Sequence, residues 1–221
     1  MTADSSIRAA IFDMDGLLID SEPLWDMAEI EVIASLGIDT SLRQSMTDTL
    51  GLRIDMVVDL WYQLSPWETP SRDVVVNRII ERAIALVAER RPLLPGVEHA
   101  LRLCREQNLK IGLASASPLH MQQQVLHMFN LEHYFDVLAS AENLPYSKPH
   151  PEVYLNAAQD LGVSPLQCVA LEDSVNGMIA TKAARMRSIV VPESEFSKDP
   201  RWALADHKLS TLQQLEVVHI G

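Results

Sequence analysis

Two aspartates, Asp13 and Asp15, directly follow a short apolar run from Ala9 to Phe12. Side chains alternate along an extended chain, so residues spaced by one point in the same direction. Two carboxylates held this close repel each other unless a cation lies between them, and Mg²⁺ is a hard ion that binds carboxylate oxygens. Gly16 follows and permits a sharp turn where a side chain would clash. The pattern predicts an acidic, metal-dependent site at the end of a buried strand.

Two other interpretations compete for this Asp-Met-Asp-Gly segment. The two acids could simply end a strand and cap a turn. The segment also begins like a calcium loop, which needs further oxygen ligands at short spacing and a closing glutamate. Leu17, Leu18 and Ile19 stand where those ligands would be, which excludes the calcium loop. The strand-end interpretation stays open on this segment alone.

Composition narrows the class of protein. The chain has 221 residues, a hydrophobic fraction of 48% and a net charge of −12. This length allows one large domain or two small ones. Nucleic acid is not expected as a partner, because no basic stripe would neutralise its phosphates.

The sequence also bears on the cellular location, the state of the cysteines and the oligomeric state. The first residues lack a signal peptide, and no apolar run reaches membrane-spanning length, so we expect a cytoplasmic protein without a membrane partner. Cys104 and Cys168 lie in apolar stretches without metal-ligand spacing and are expected to be buried free thiols. A monomer is expected, and the predicted cap and core surfaces show no unpaired apolar stripe that would determine an oligomeric state.

The elements that must position the acids fall into two blocks. Helical periodicity dominates residues 20–90, with helices predicted at 23–36, 53–64 and 71–89. Strands then alternate with helices, which predicts a parallel sheet covered on both faces. The predicted strands are 109–115, 135–139, 169–171 and 188–191, and the helices are 97–107, 118–129, 151–161 and 174–184.

These blocks predict an α/β fold with a doubly wound parallel sheet and a Rossmann-like core. The catalytic core would comprise residues 1–16 and 92–221. Residues 17–91, which we call the cap, would form a helical domain inserted after the first strand.

In such a sheet, residues just past the carboxyl ends of the strands share one crevice. Ser115 and Ala116 follow the second predicted strand, immediately before a helix that Pro118 is expected to start, and amides there bind anions. Lys148 follows the third strand and supplies positive charge in an acidic chain. Asp173 follows the fourth strand and adds another carboxylate for a metal.

Each of these residues also has a plainer interpretation. Ser117 before Pro118 could be an ordinary helix cap, Lys148 a solvated loop lysine, and Asp173 an acid at a helix start. Glu172 could be an outer metal ligand or could orient the site.

The segments together resemble the four motifs of the haloacid dehalogenase superfamily. Residues 13–22 resemble the first motif, Ser115 the second, Lys148 with Pro149 the third, and residues 171–177 the fourth. The resemblance keeps the motif order, covers the whole chain and extends to the cap.

Within the superfamily the chain is similar to sugar-phosphate phosphatases. Asp15 is missing from the dehalogenase branch. The phosphonate hydrolases need a cap lysine, whereas residues 17–90 contain none, and the phosphoglucomutases have a histidine where Trp25 stands.

The resemblance implies a phosphatase that forms an aspartyl-phosphate. Asp13 would be the nucleophile and Asp15 the general acid and base. Mg²⁺, or Mn²⁺ or Co²⁺ in its place, would be held by Asp13, the main-chain carbonyl of Asp15, and Asp173. The residues expected to bind the substrate's phosphoryl group are Asp13, Asp15, Ser115, Ala116 and Lys148.

The implied substrate is a small sugar or polyol monophosphate, such as a hexitol phosphate or 2-deoxyglucose 6-phosphate. A sugar phosphomutase and a non-catalytic sugar-phosphate-binding protein remain alternatives. Arg53 would select the substrate or be a surface arginine at a helix start. Trp25 would pack against the sugar or within the cap.

Overall fold

The computed structural model describes residues 6–46, 49 and 51–221. Within these residues, a six-stranded sheet has the order β3-β2-β1-β4-β5-β6, and all strand pairs are parallel. The strands are β1 (Ala9–Phe12), β2 (Lys110–Ser115), β3 (Val137–Ser140), β4 (Cys168–Glu172), β5 (Arg187–Val190) and β6 (His207–Lys208).

The central strand β1 brings three strand ends together. Phe12, its last residue, is paired with Leu113 of β2 and with Leu171 of β4. All of β1 is buried, as expected for a parallel strand that is covered on both faces. The residues that follow β1, β2 and β4 therefore lie side by side at one edge of the sheet.

Three helices lie within the predicted cap: α1 (Glu22–Ser35), α2 (Ile54–Leu64) and α3 (Arg72–Arg90). They bury apolar side chains that include Ile33 of α1, Trp61 of α2 and Ile79 of α3. A 3₁₀ turn, Thr40–Ser45, lies between α1 and α2. The prediction of helices without a strand in this block agrees with its described part.

The remaining helices cover both faces of the sheet. They are α4 (Val97–Glu106), α5 (Leu119–Met128), α6 (Glu152–Leu161), α7 (Val175–Ala183) and α8 (Val217–Ile220). Ala10 and Phe12 share a hydrophobic cluster with residues of α4 and α5, whereas Ala9 and Ile11 share another with residues of α6 and α7. Alternate residues of β1 thus face opposite layers, and the predicted doubly wound fold is confirmed.

The cap leaves the core and returns to it at one place. Ile19 forms isolated bridges with Asp15 and with Leu93, and the Leu94 amide donates to the Leu18 carbonyl at 2.9 Å. The outgoing and returning segments therefore run side by side. The exact boundaries of the cap, at 17 and 91, stay a prediction.

Most predicted elements begin and end within a residue of the observed ones; the exceptions among the strands and α-helices are β3, β6 and the short helix α8, which was not predicted. Strand β3 begins at Val137 rather than at 135, because a 3₁₀ turn, Glu132–Tyr134, precedes it and Phe135 packs edge-on against Phe12. Strand β6 was not predicted, since its two residues are polar and carry no strand pattern.

Two further expectations concern the thiols and the membrane. Cys104 and Cys168 are buried free thiols as predicted, and burial raises the pKa of each to about 12. Among the described residues, none of the helices combines the length and apolar character of a membrane span.

Candidate active site

The carboxyl edge of the sheet gathers the predicted charged residues. Asp13 continues β1, and its amide donates to the Leu171 carbonyl at 3.0 Å. Lys148, from the loop after β3, places Nζ 2.7 Å from Asp13 Oδ1 and 2.7 Å from Glu172 Oε1. All three side chains are buried. The solvated-lysine interpretation of Lys148 is therefore wrong.

Three buried carboxylates face this single lysine. Asp13, Glu172 and Asp173 each place an oxygen within 4.8 Å of the others. Burial raises the pKa of Asp13 to about 8 against the opposing effect of Lys148. Burial and the neighbouring carboxylates also raise the pKa of Asp173 well above its usual range. The cluster has more negative charge than its lysine can neutralise.

The cluster fits a hard divalent cation. Asp173 Oδ1 is buried and has no hydrogen-bond partner in the described part of the chain, and a bare buried oxygen is costly. Gly16, at φ +76°, lies so close that a Cβ there would come within 2.0 Å of Asp173 Oδ2. The glycine turn thus leaves room for the Asp173 carboxylate, and carboxylate oxygens are the ligands that Mg²⁺ prefers.

Glu172 is held by donors on both of its oxygens. Oε1 accepts from Lys148 and from the Tyr154 hydroxyl, and Oε2 accepts from the Ser174 amide and hydroxyl. A Cβ at Gly177 would lie 1.9 Å from the same carboxylate, so this helical glycine makes room for it. These contacts favour the orienting role for Glu172 over that of a metal ligand.

The Asp15 side chain is held by four donors. Oδ1 accepts from Ser21 Oγ at 2.7 Å and from Trp25 Nε1 at 2.9 Å. Oδ2 accepts from Ser117 Oγ at 2.6 Å and from Ser115 Oγ at 3.3 Å. Asp13 and Asp15, although two residues apart, therefore have different partners: a lysine for the first and neutral donors for the second.

None of these four residues was identified from the sequence as a donor to Asp15. Ser117 does not cap α5, which begins at Leu119 after Pro118 and has no side-chain cap. Ser21 was seen only as part of a motif, and Trp25 was interpreted as a packing residue. The one available signal was the spacing of Ser115 and Ser117, which places both hydroxyls on one side of an extended segment.

A pocket with a cavity volume of about 70 Å³ lies between the sheet edge and the cap. From the core it is lined by Asp13, Asp15, Ser115, Ala116, Ser117, Pro118, Lys148 and Ser174. From the cap it is lined by Glu22, Trp25, Asp26, Glu29, Arg43, Thr49, Gly51, Leu52, Arg53, Ile54 and Val57.

Two of the cap residues were singled out by sequence. Trp25 lines the pocket while donating to Asp15. Arg53 Nη1 donates to the carbonyls of Ala141 and Leu144 in the core, at 2.6 and 2.7 Å, and the same guanidinium forms a bidentate pair with Asp55. Arg53 is the N-cap residue of α2, so its predicted place at a helix start is confirmed. Its side chain contacts the core, so the interpretation as a surface arginine is wrong.

Comparison with known proteins shows the family to which the chain belongs. A model of the haloacid dehalogenase-like hydrolases matches residues 7–185. The chain belongs to this family of hydrolases.

Three relatives refine the comparison. Hexitol phosphatase B of Escherichia coli (strain K12) is 69% identical over 215 residues, 97% of each chain. The crystal structure of beta-phosphoglucomutase from Clostridium difficile is 28% identical with a TM-score of 0.81, over 97% of this chain and 95% of that one. CbbY from Rhodobacter sphaeroides, in complex with phosphate, is 27% identical with a TM-score of 0.79, over 97% and 99%. The family, the fold and the phosphatase class are thereby confirmed.

Proposed function

We propose that the protein is a divalent-metal-dependent phosphatase of small sugar or polyol monophosphates and acts through an aspartyl-phosphate on Asp13. The observation that carries this proposal is the different setting of the two aspartates. Asp13 accepts a hydrogen bond from the buried Lys148 and lies beside two further carboxylates. Asp15 lines the pocket and accepts hydrogen bonds from neutral donors. The similarity to hexitol phosphatase B supports the substrate class.

The first half-reaction uses both aspartates. Lys148 holds Asp13 Oδ1, while Asp13 Oδ2 accepts no hydrogen bond from the described residues and is the oxygen that attacks phosphorus. The phosphorus–oxygen bond to the sugar breaks as the bond to Asp13 forms. Asp15 gives its proton to the departing sugar oxygen.

The second half-reaction regenerates the enzyme. Asp15, now a carboxylate, takes a proton from water as the water oxygen attacks phosphorus. The bond between phosphorus and Asp13 breaks, and inorganic phosphate leaves. Asp15 is then protonated again and Asp13 is free for another turnover.

The phosphoryl group needs positive charge and donors around it. Asp13, Asp173 and the main-chain carbonyl of Asp15 are the residues that would hold Mg²⁺, or Mn²⁺ or Co²⁺. When bound, such an ion neutralises phosphoryl oxygens. Lys148 and the segment of Ser115 and Ala116 would bind the remaining phosphoryl charge.

The test is a phosphate-release assay on sugar and polyol monophosphates with Mg²⁺, followed by mass spectrometry of acid-quenched enzyme. Release of phosphate, with the phosphoryl group found on Asp13, is expected. Phosphorylation of another residue, or no release from any monoester, would contradict the proposal.

The phosphomutase alternative is tested in the same assay. It has support in the similarity to beta-phosphoglucomutase. Bisphosphate-dependent isomerisation of a sugar monophosphate without net phosphate release would favour it over hydrolysis.

Three lesser points belong to the proposal. The enzyme acts as a monomer, works in the cytoplasm, and has neither nucleic acid nor a membrane as partner. The net charge of −12 supports the exclusion of nucleic acid.

A further inference from the structure

A group of charged residues lines the cap side of the pocket, apart from the catalytic aspartates. Arg43, in the 3₁₀ turn, places Nη2 2.9 Å from Asp26 Oδ1 and Nε 3.0 Å from Glu29 Oε1. Asp26 and Glu29 both belong to α1. Glu29 is buried and accepts from Trp61 Nε1 at 2.6 Å, which fixes its position in the cap.

The charge of this group is unfavourable for an anion. Two carboxylates, Asp26 and Glu29, surround the single guanidinium of Arg43. The other arginine that lines the pocket, Arg53, forms a bidentate pair with Asp55. Each cap arginine in the described lining therefore has at least one carboxylate beside it, and neither offers a phosphate an unopposed positive charge.

The unused hydrogen-bonding atoms of the group suit hydroxyls instead. In the described part of the chain, neither Nη1 nor the buried Nε of Arg43 makes a hydrogen bond, and neither Asp26 Oδ2 nor Glu29 Oε2 accepts one. A hydroxyl both donates and accepts. Donors next to acceptors therefore match a chain of adjacent hydroxyl groups.

We infer that Arg43, Asp26 and Glu29 bind hydroxyl groups at the end of the substrate remote from its phosphate, and that they disfavour a second phosphate at that end. This inference rests on the proposed phosphatase function and names the residues that select within its substrate class. It also separates the protein from a mutase, which must accept a sugar bisphosphate.

The experiment compares three substrates of equal chain length: a hexitol monophosphate, n-hexyl phosphate and a hexitol bisphosphate. For the wild type, kcat/KM should be highest for the hexitol monophosphate. Each charge-assisted hydrogen bond to a hydroxyl should contribute about 10–100-fold over n-hexyl phosphate. The hexitol bisphosphate should have a lower kcat/KM than the hexitol monophosphate.

Variants assign this preference to the named residues. Arg43→Gln should lower kcat/KM for the hexitol monophosphate about tenfold more than for n-hexyl phosphate. Asp26→Asn, at an exposed side chain, should raise the rate for the bisphosphate relative to the monophosphate. Arg82→Gln is the matched control, because Arg82 pairs with Glu31 of α1 outside the pocket, and it should change neither ratio.

The possible outcomes separate a failure of this inference from a failure of the proposed function. An equal fall for the hexitol and hexyl phosphates in Arg43→Gln would show that Arg43 only supports the cap and would overturn the inference. A wild type that cleaves the bisphosphate as well as the monophosphate would also overturn it. Failure of the wild type to cleave any monoester, n-hexyl phosphate included, would instead overturn the proposed function.

Discussion

The ammonium group of Lys148 joins Asp13 to Glu172, with Nζ at hydrogen-bond distance from one oxygen of each. The two acids come from different strands, and the lysine comes from the loop after a third. Burial disfavours the charge on Lys148, but Asp13 and Glu172 outweigh it and raise the pKa of the lysine. Lys148 therefore stays charged while it holds the proposed nucleophile in place.

Lys148→Ala should remove this contact from a dry phosphate site. We expect a loss of about 2–4 kcal/mol of transition-state binding, or ~30–1000-fold in kcat/KM. Steady-state kinetics on a monophosphate measure it, with Lys182→Ala, which breaks a partly exposed pair with Asp206, as control. A loss no larger than that of the control would place Lys148 outside the phosphate site.

Asp15→Asn should separate the two chemical steps. Without the general acid and base, each step should slow by ~10²–10⁴-fold. A substrate with a good leaving group needs little protonation, so aspartyl-phosphate should accumulate on Asp13, as seen by mass spectrometry after acid quench. Asp13→Asn should form none, and a normal phosphoenzyme in that variant would reverse the two roles.

Divalent cation should stabilise the protein as well as support activity. The buried acids around Asp173 repel one another, and a cation relieves this repulsion. Chelation should abolish turnover, and Mg²⁺ should raise the Tm of the chelated protein. In Asp173→Asn the rise in Tm should shrink, whereas Asp160→Asn, at an exposed helical position, should keep it. Full turnover in verified metal-free enzyme would contradict the metal site.

Arg53→Ala should lower kcat/KM by a similar factor for all substrates. Its guanidinium binds Ala141 and Leu144 carbonyls rather than lying free in the pocket, so its loss loosens the contact between cap and core. We expect kcat/KM to fall for hexitol and aryl phosphates alike, with their ratio kept within about threefold. A changed ratio would restore the selectivity role that the sequence suggested, and Arg43→Gln provides the contrasting variant.

Asp136 should contribute stability that depends on pH. Burial raises its pKa, but hydrogen bonds from Arg105 and from the Ile111 amide outweigh burial and lower the pKa in the folded state. Stability from this group is therefore present above the unfolded pKa of about 3.9 and is lost as the pH falls through the folded value. Because the pair is partly exposed, Asp136→Asn should cost at most about 1 kcal/mol near neutral pH and less in acid.

Denaturant unfolding of the wild type and of Asp136→Asn, near neutral pH and in acid, measures how the free-energy cost of the substitution depends on pH. Asp160→Asn removes the same charge at an exposed helical position and is the matched control for the loss of one negative charge. An equal cost of Asp136→Asn at both pH values would assign the effect to packing.

The fold could be predicted from the sequence more completely than the contacts within the candidate site. Apolar strands such as β1 and the helical periodicity of α1–α3 are local patterns, so they could be interpreted without the structure. The convergence of Asp13, Lys148 and Asp173 followed from the rule that parallel strands end at one edge. The donors to Asp15 and the backbone contacts of Arg53 depend on how cap and core meet across the pocket, which no local pattern encodes.

The two oxygens of Asp15 are shared between the two parts of the molecule. Oδ1 accepts only from Ser21 and Trp25 in the cap, and Oδ2 accepts only from Ser115 and Ser117 in the core, among the described residues. If the cap moved away from the core, Oδ1 would lose both of its donors, whereas Oδ2 would keep its own. The proposed general acid would then be fully arranged only when the chamber is shut, so proton delivery and enclosure of the substrate would be synchronised.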